Sequence, residues 1–173
     1  MNPKRCNEYD YINFLVAAQK SSSCLEAGRV QPNKPKAPAH DALNRMQHRK
    51  EPNPDDWWRE AEAQVKKEQG LLVLDDSTLD QPFAKKIGLV YWHWSGKHHN
   101  TVRGINLLTL LWTDGDKPVP CDHRLYDKPN DQRSKNDHFA SLLNTAPQRG
   151  FQPAYVGFDS WYSSLSNLKS IRQ

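Results

Sequence analysis

Apolar residues along this chain recur first at helical spacing and then, beyond Gly70, at the spacing of strands. Over 7–20, Tyr11, Phe14, Leu15 and Ala18 share one helical face, and Asn7 is placed to cap it. Ser21-Ser22-Ser23 interrupts that run and precedes a second short helix carrying Leu25, Ala27 and Val30. The prolines of 31–38 forbid a helix interior or a central strand, so this stretch reads as a loop. A third helix is predicted over 39–50, apolar along Ala42, Leu43 and Met46 and basic through Arg45, His48, Arg49 and Lys50. The fourth has a strong start signal: Asn53 at the cap, Pro54 at the first helical position, and Asp55 and Asp56 at the positive end of the dipole. Its apolar stripe is Trp57, Trp58, Ala61 and Val65, and Gly70 is the expected stop.

Past Gly70, Leu71-Leu72-Val73-Leu74 is continuously apolar, as expected for a strand covered on both faces. Residues 89–94 are rich in aromatics and compatible with an extended segment. A firm strand is predicted over 104–112, with Asp114-Gly115-Asp116 as the turn and 119–126 as its hairpin partner. Asn136 or Asp137 can cap a helix bearing Phe139, Leu142 and Leu143, ending near Arg149-Gly150. Tyr155-Val156-Gly157-Phe158 is another short strand. A last helical run with Leu165, Leu168 and Ile171 begins near Ser163 and is still running at Gln173, which reads as truncation. The expected fold is therefore an incomplete α/β domain over 71–173, preceded by a small all-α region over 1–70 that is a candidate DNA binder.

Composition sharpens this modestly. A length of 173 residues suits one domain with an appendage, and a mean hydropathy of -0.89 implies much loop or solvated helix. The net charge of +4 suits a polyanionic partner without demanding one. Three cysteines with no CxxC spacing read as reduced thiols of a cytoplasmic protein. No apolar run reaches membrane-spanning length and no signal-peptide stretch opens the chain, so no membrane partner is expected. G-x-S-x-G, P-loop and HExxH motifs are all absent.

The chemistry lies in two aspartate segments, Leu74-Asp75-Asp76-Ser77-Thr78 and Phe158-Asp159-Ser160-Trp161-Tyr162, each following a buried apolar strand. Side chains alternate along a strand, so Asp75 and Asp76 point to opposite faces and only one can join a given site. Ligands in open α/β sheets collect outside the carboxyl ends of strands. Singly, each aspartate is better explained by capping a helix or turn. Together, with a hairpin and a helix between them, they form a candidate pair if their strands are neighbours.

Close carboxylates repel unless a cation lies between them, and hard oxygens select Mg²⁺ or Mn²⁺. Two such ions ~4 Å apart serve in-line displacement at phosphorus. The stretch Trp94-Ser95-Gly96-Lys97-His98-His99, with Arg103, can hold phosphates or stack on an unpaired base, or it can be a solvated hairpin tip. Arg45, His48, Arg49 and Lys50 suit a helix-turn-helix-like reader, although basic amphipathic helices are commonly just solvated. His93, His98, His99, His123 and Cys121 match no common zinc spacing.

Three segments together, LLVLDDSTLD over 71–80, HWSGKHHNTVRGINLLTLL over 93–111 and YVGFDSWYSSLSNL over 155–168, resemble bacterial insertion-sequence transposases of the DDE superfamily. The likeness takes in the first helix and Pro38-Ala39-His40-Asp41-Ala42-Leu43, and so nearly the whole chain. It implies an RNase H-like mixed sheet, dependence on Mg²⁺ (or Mn²⁺), binding of a mobile element's terminal inverted repeats, and DNA cleavage and strand transfer. The family's first catalytic aspartate directly precedes a Ser/Thr pair, which places it on Asp76 with Asp75 in reserve; the second falls on Asp159. Both are implied metal ligands. DNA contacts are expected at Lys97, His98, His99 and Arg103, and at Arg45 and Arg49. The third family residue, a glutamate on a later helix, has no counterpart, since no glutamate follows Glu68 and nothing acidic follows Asp159. Two functions follow: a transposase copy inactive alone, working as a homodimer or with a full-length transposase, or a non-catalytic DNA-binding remnant or dominant-negative regulator.

Overall fold

A computed structural model describes residues 6–18, 23–32, 37–49, 51 and 53–172. Residues 33–36 of the loop expected over 31–38, the residues Lys20, Ser21, Ser22 and Lys50, and Gln173 lie outside the described residues. The chain divides into two compact units, Met1–Pro52 and Asn53–Gln173.

The first unit holds α1 (Glu8–Ala17), α2 (Cys24–Arg29) and α3 (His40–His48). Asn7 caps α1 reciprocally with Asp10, and Ser23 caps α2. Cys6, Phe14, Ala27, Leu43 and Met46 make a small core. Leu15, Leu25 and Val30 stay exposed, because helices this short bury only a narrow stripe.

The second unit begins with α4 (Pro54–Ala61), followed by β1 (Leu71–Asp80), β2 (Tyr91–Ser95), β3 (Asn100–Thr113) and β4 (Pro118–Leu125). Then come α5 (Lys128–Asp131), α6 (Lys135–Gln148), β5 (Tyr155–Phe158) and α7 (Leu165–Ile171). The described residues thus form a mixed α/β protein with seven α-helices and a five-stranded mixed sheet. Its order is β2-β3-β1-β5, with β4 also beside β3; β1 runs antiparallel to β3 and parallel to β5. No described helix is long and apolar enough to cross a membrane.

Leu72, Leu74, Leu108, Leu110 and Trp112 line the packed face of the sheet against Phe139, Leu142, Ala146, Phe151 and Tyr162. The residues between them on β1 and β3 are only partly buried, so among the described residues of this unit the sheet is packed on one face and not on both.

Several expectations change. The division falls at Pro52 and Asn53 instead of Gly70, because Trp58 on α4 belongs to the core of the sheet unit. The Arg149 guanidinium lies over that indole at 5.3 Å and bonds Asp55 at 2.8 Å. Helix α4 stops at Ala61 with one 3-10 turn over 62–64, well before Gly70. The backbone has by then left the helix to let Glu68 bridge Gln152.

Strand β1 continues past Leu74 to Asp80 because β3 pairs with it throughout, from Leu71↔Thr113 to Asp80↔Gly104. At Gly104 the strands approach so closely that a Cβ would stand 2.5 Å from the Leu79 carbonyl oxygen. Ser134, not Asn136 or Asp137, caps α6; Asp137 returns the bond to the Ser134 backbone.

Candidate active site

The parallel register of β1 and β5, Leu72↔Val156 and Leu74↔Phe158, carries Asp159 to the level of Asp75 and Asp76. All three aspartates line one open cleft of about 1070 Å³. Lys97 from the β2–β3 hairpin and Lys135 from the start of α6 share its wall, as do Trp94 and Trp161. Both indoles are largely exposed.

Both Asp75 and Asp76 border this cleft, against the expectation that alternation would admit only one of them; alternation decides instead what each carboxylate does. Asp76 shares the packed face with Leu72 and Leu74, whereas Asp75 is exposed and accepts the Asp76 backbone N–H at 2.8 Å. Asp76 Oδ2 accepts hydrogen bonds from Lys135 Nζ and Asn106 Nδ2, each at 2.7 Å. Its Oδ1 accepts the Tyr162 hydroxyl at 2.7 Å. Burial opposes ionisation of this carboxyl, but the bonds from Lys135, Asn106 and Tyr162 and the ammonium charge outweigh it and hold the group below the usual carboxylate range. The Tyr162 phenol is pushed well up, first by burial and then by its bond to Asp76.

Asp159 is exposed, and its Oδ1 accepts the Trp161 N–H and the Ser160 hydroxyl, both at 3.0 Å. It therefore caps the 3-10 turn over 160–162 as well as facing the cleft.

The expected DNA contacts separate. Lys97 lines the cleft, while His98 Nε2 lies 2.8 Å from Asp80 Oδ2 at the neighbouring strand end. His99 is exposed at the hairpin tip with φ 48°, and Arg103 is half-buried in β3 opposite Trp92. Neither is among the residues lining the cleft. Arg45 on α3 of the first unit and Arg49 at its C-terminal cap are both exposed.

Sequence reasoning missed Lys135, Asn106 and Tyr162. Two of them carried a faint signal. Asn106 is a lone amide in an apolar strand, and Lys135 is a cation at a helix start, where the dipole disfavours it.

The aspartates are hard oxygen donors of the type Mg²⁺ or Mn²⁺ prefers. As folded, however, they do not form a cage for such an ion. Asp76 is already engaged by three donors, one of them an ammonium, and among the described residues no group of three or more His, Cys, Asp or Glu side chains could hold a metal. No family model, curated protein or solved structure matches this chain.

Proposed function

We propose that the sheet unit has an RNase H-like catalytic fold of the DDE transposase type, and that the helical first unit assists in binding DNA. The observation that carries this reading is the convergence of Asp76 and Asp159, from adjacent parallel strands, in a cleft that also presents Lys97. The resemblance of the three sequence segments supports it independently. On this reading the substrate is DNA, in particular a mobile element's terminal inverted repeats, handled as a homodimer or alongside a full-length transposase.

On the family resemblance Asp76 and Asp159 would be the ligands of Mg²⁺ or Mn²⁺, an arrangement that would require Asp76 to be freed from Lys135. Such an ion, if bound, would supply charge stabilisation at a phosphodiester. The chain's own residues position the substrate. The Lys97 ammonium attracts a phosphate oxygen. The exposed Trp94 and Trp161 offer flat apolar faces on which a base can stack. Tyr162 and Asn106 fix the orientation of the Asp76 carboxylate.

A second reading, a DNA-binding protein without nuclease activity, is favoured by one observation: Asp76 is neutralised by Lys135 instead of being open. Supercoiled-plasmid nicking with Mg²⁺ or Mn²⁺ separates the two. Nicking that Asp76→Ala and Asp159→Ala abolish establishes the enzyme, and DNA binding without nicking establishes the second reading. A chain that neither binds nor nicks DNA removes both.

A further inference from the structure

Strand β2 turns its two largest side chains away from the core. Burial alternates along it: His93 and Ser95 are buried, whereas Trp92 is 70% exposed and Trp94 63%. Residues two apart on a strand share a face at a spacing of about 6.8 Å, so the two indoles stand side by side, opposite the packed face of the sheet. A tryptophan carries a large apolar surface, and two of them left together in water mark a place that a ligand covers.

The neighbouring strand adds charge. Arg103 on β3 lies in register with Trp92, and Thr101 with Trp94. Arg103 is half-buried, and among the described residues its guanidinium has no ion-pair partner. Lys97 follows in the hairpin and shares the wall of the cleft with Trp94, while Trp92 lies outside that wall. Flat apolar rings and unpaired cations on one short ribbon are complementary to a polyanion that itself carries flat rings. Spacing then selects its form. Bases of a duplex follow one another every ~3.4 Å along a strand, and each face is covered by its neighbours, so an indole meets only base edges. Rings about 6.8 Å apart suit bases that are unstacked and unpaired.

We infer that Trp92, Trp94 and Arg103 form a track for unpaired DNA, along which a single strand leaves the cleft over β2. This rests on the reading of the cleft as a DNA site and adds to it the form of strand that is held. The indoles take successive bases, and Arg103 takes a phosphate between them.

The test is fluorescence anisotropy of short labelled oligonucleotides with the full chain, in the presence of a metal chelator. A single strand should bind more tightly than a duplex or an abasic strand of the same length. Trp92→Ala should weaken single-strand binding about fivefold or more and leave duplex binding unchanged, while Trp92→Phe keeps most of the affinity. Trp92 is exposed, so its replacement leaves the core intact. Arg103→Gln should reduce the slope of log affinity against log salt by about 0.7. Equal affinity for the abasic strand, unaltered single-strand binding by Trp92→Ala, or an unchanged salt slope in Arg103→Gln overturns the inference. A dimer in sedimentation that Trp92→Ala dissolves also overturns it, because the rings then serve a second copy of the chain. Single-strand binding as described without plasmid nicking keeps the track and counts against the nuclease. Nicking with single-strand affinity indifferent to Trp92 does the reverse.

Discussion

Asp76 gathers three side chains that have no reason to meet otherwise, and its contacts to Lys135 and Tyr162 span 59 and 86 residues of chain. Removing one member leaves the others unpaired, which is where the energetic consequence lies. Asp76→Ala strands the Lys135 ammonium beside a helix N-terminus and should lower stability by roughly 3 kcal/mol, with Asp76→Ala/Lys135→Met recovering part of the loss in urea denaturation. Tyr162→Phe removes one hydrogen bond to a charged group and should cost about 1.5–3 kcal/mol in the same measurement. The Asp75-Asp76 pair was marked in the sequence by its place after an apolar run, and only the family resemblance singled out Asp76, before Ser77-Thr78. The partners of Asp76 were not marked, because contacts across such separations leave no local period to read.

Among the elements, alternation and turn residues marked the strands well where apolar side chains carried the pattern, as in β3 and β5. The polar half of β1, from Asp75 to Asp80, gave no such sign; its extended form comes from backbone pairing with β3. That pairing requires Gly104. Gly104→Ala would force a Cβ against the Leu79 carbonyl, and we expect a loss of roughly 1–3 kcal/mol with β1 and β3 displaced near Asp80, seen as faster amide exchange there. Helix α4 also outran its pattern. Val65 continues the helical stripe in sequence, yet it ends the 3-10 turn as a C-cap residue in extended backbone while packing on the core. At Val65 the apolar position reports burial and not helix.

For the sheet unit as a whole, stability depends on pH through three histidines. Burial is the foremost cause holding His93, His123 and His138 below the ordinary value of 6.5. His93 Nε2 has no hydrogen-bond partner, and His138 Nε2 lies 3.0 Å from Asp131 Oδ2 without the alignment of a hydrogen bond. Because the unfolded chain takes up these protons first, their contribution is complete above pH 6.5 and declines as the pH falls below it. Urea midpoints taken from about pH 8 to about pH 5 should fall across that window. The most direct measurement for the cleft is fluorescence anisotropy of a labelled DNA duplex titrated with the chain, with and without Mn²⁺. Affinity should rise with Mn²⁺, and Asp76→Asn with Asp159→Asn should remove that rise while the protein remains folded. DNA affinity indifferent both to Mn²⁺ and to the two aspartates would show that this cleft does not handle DNA.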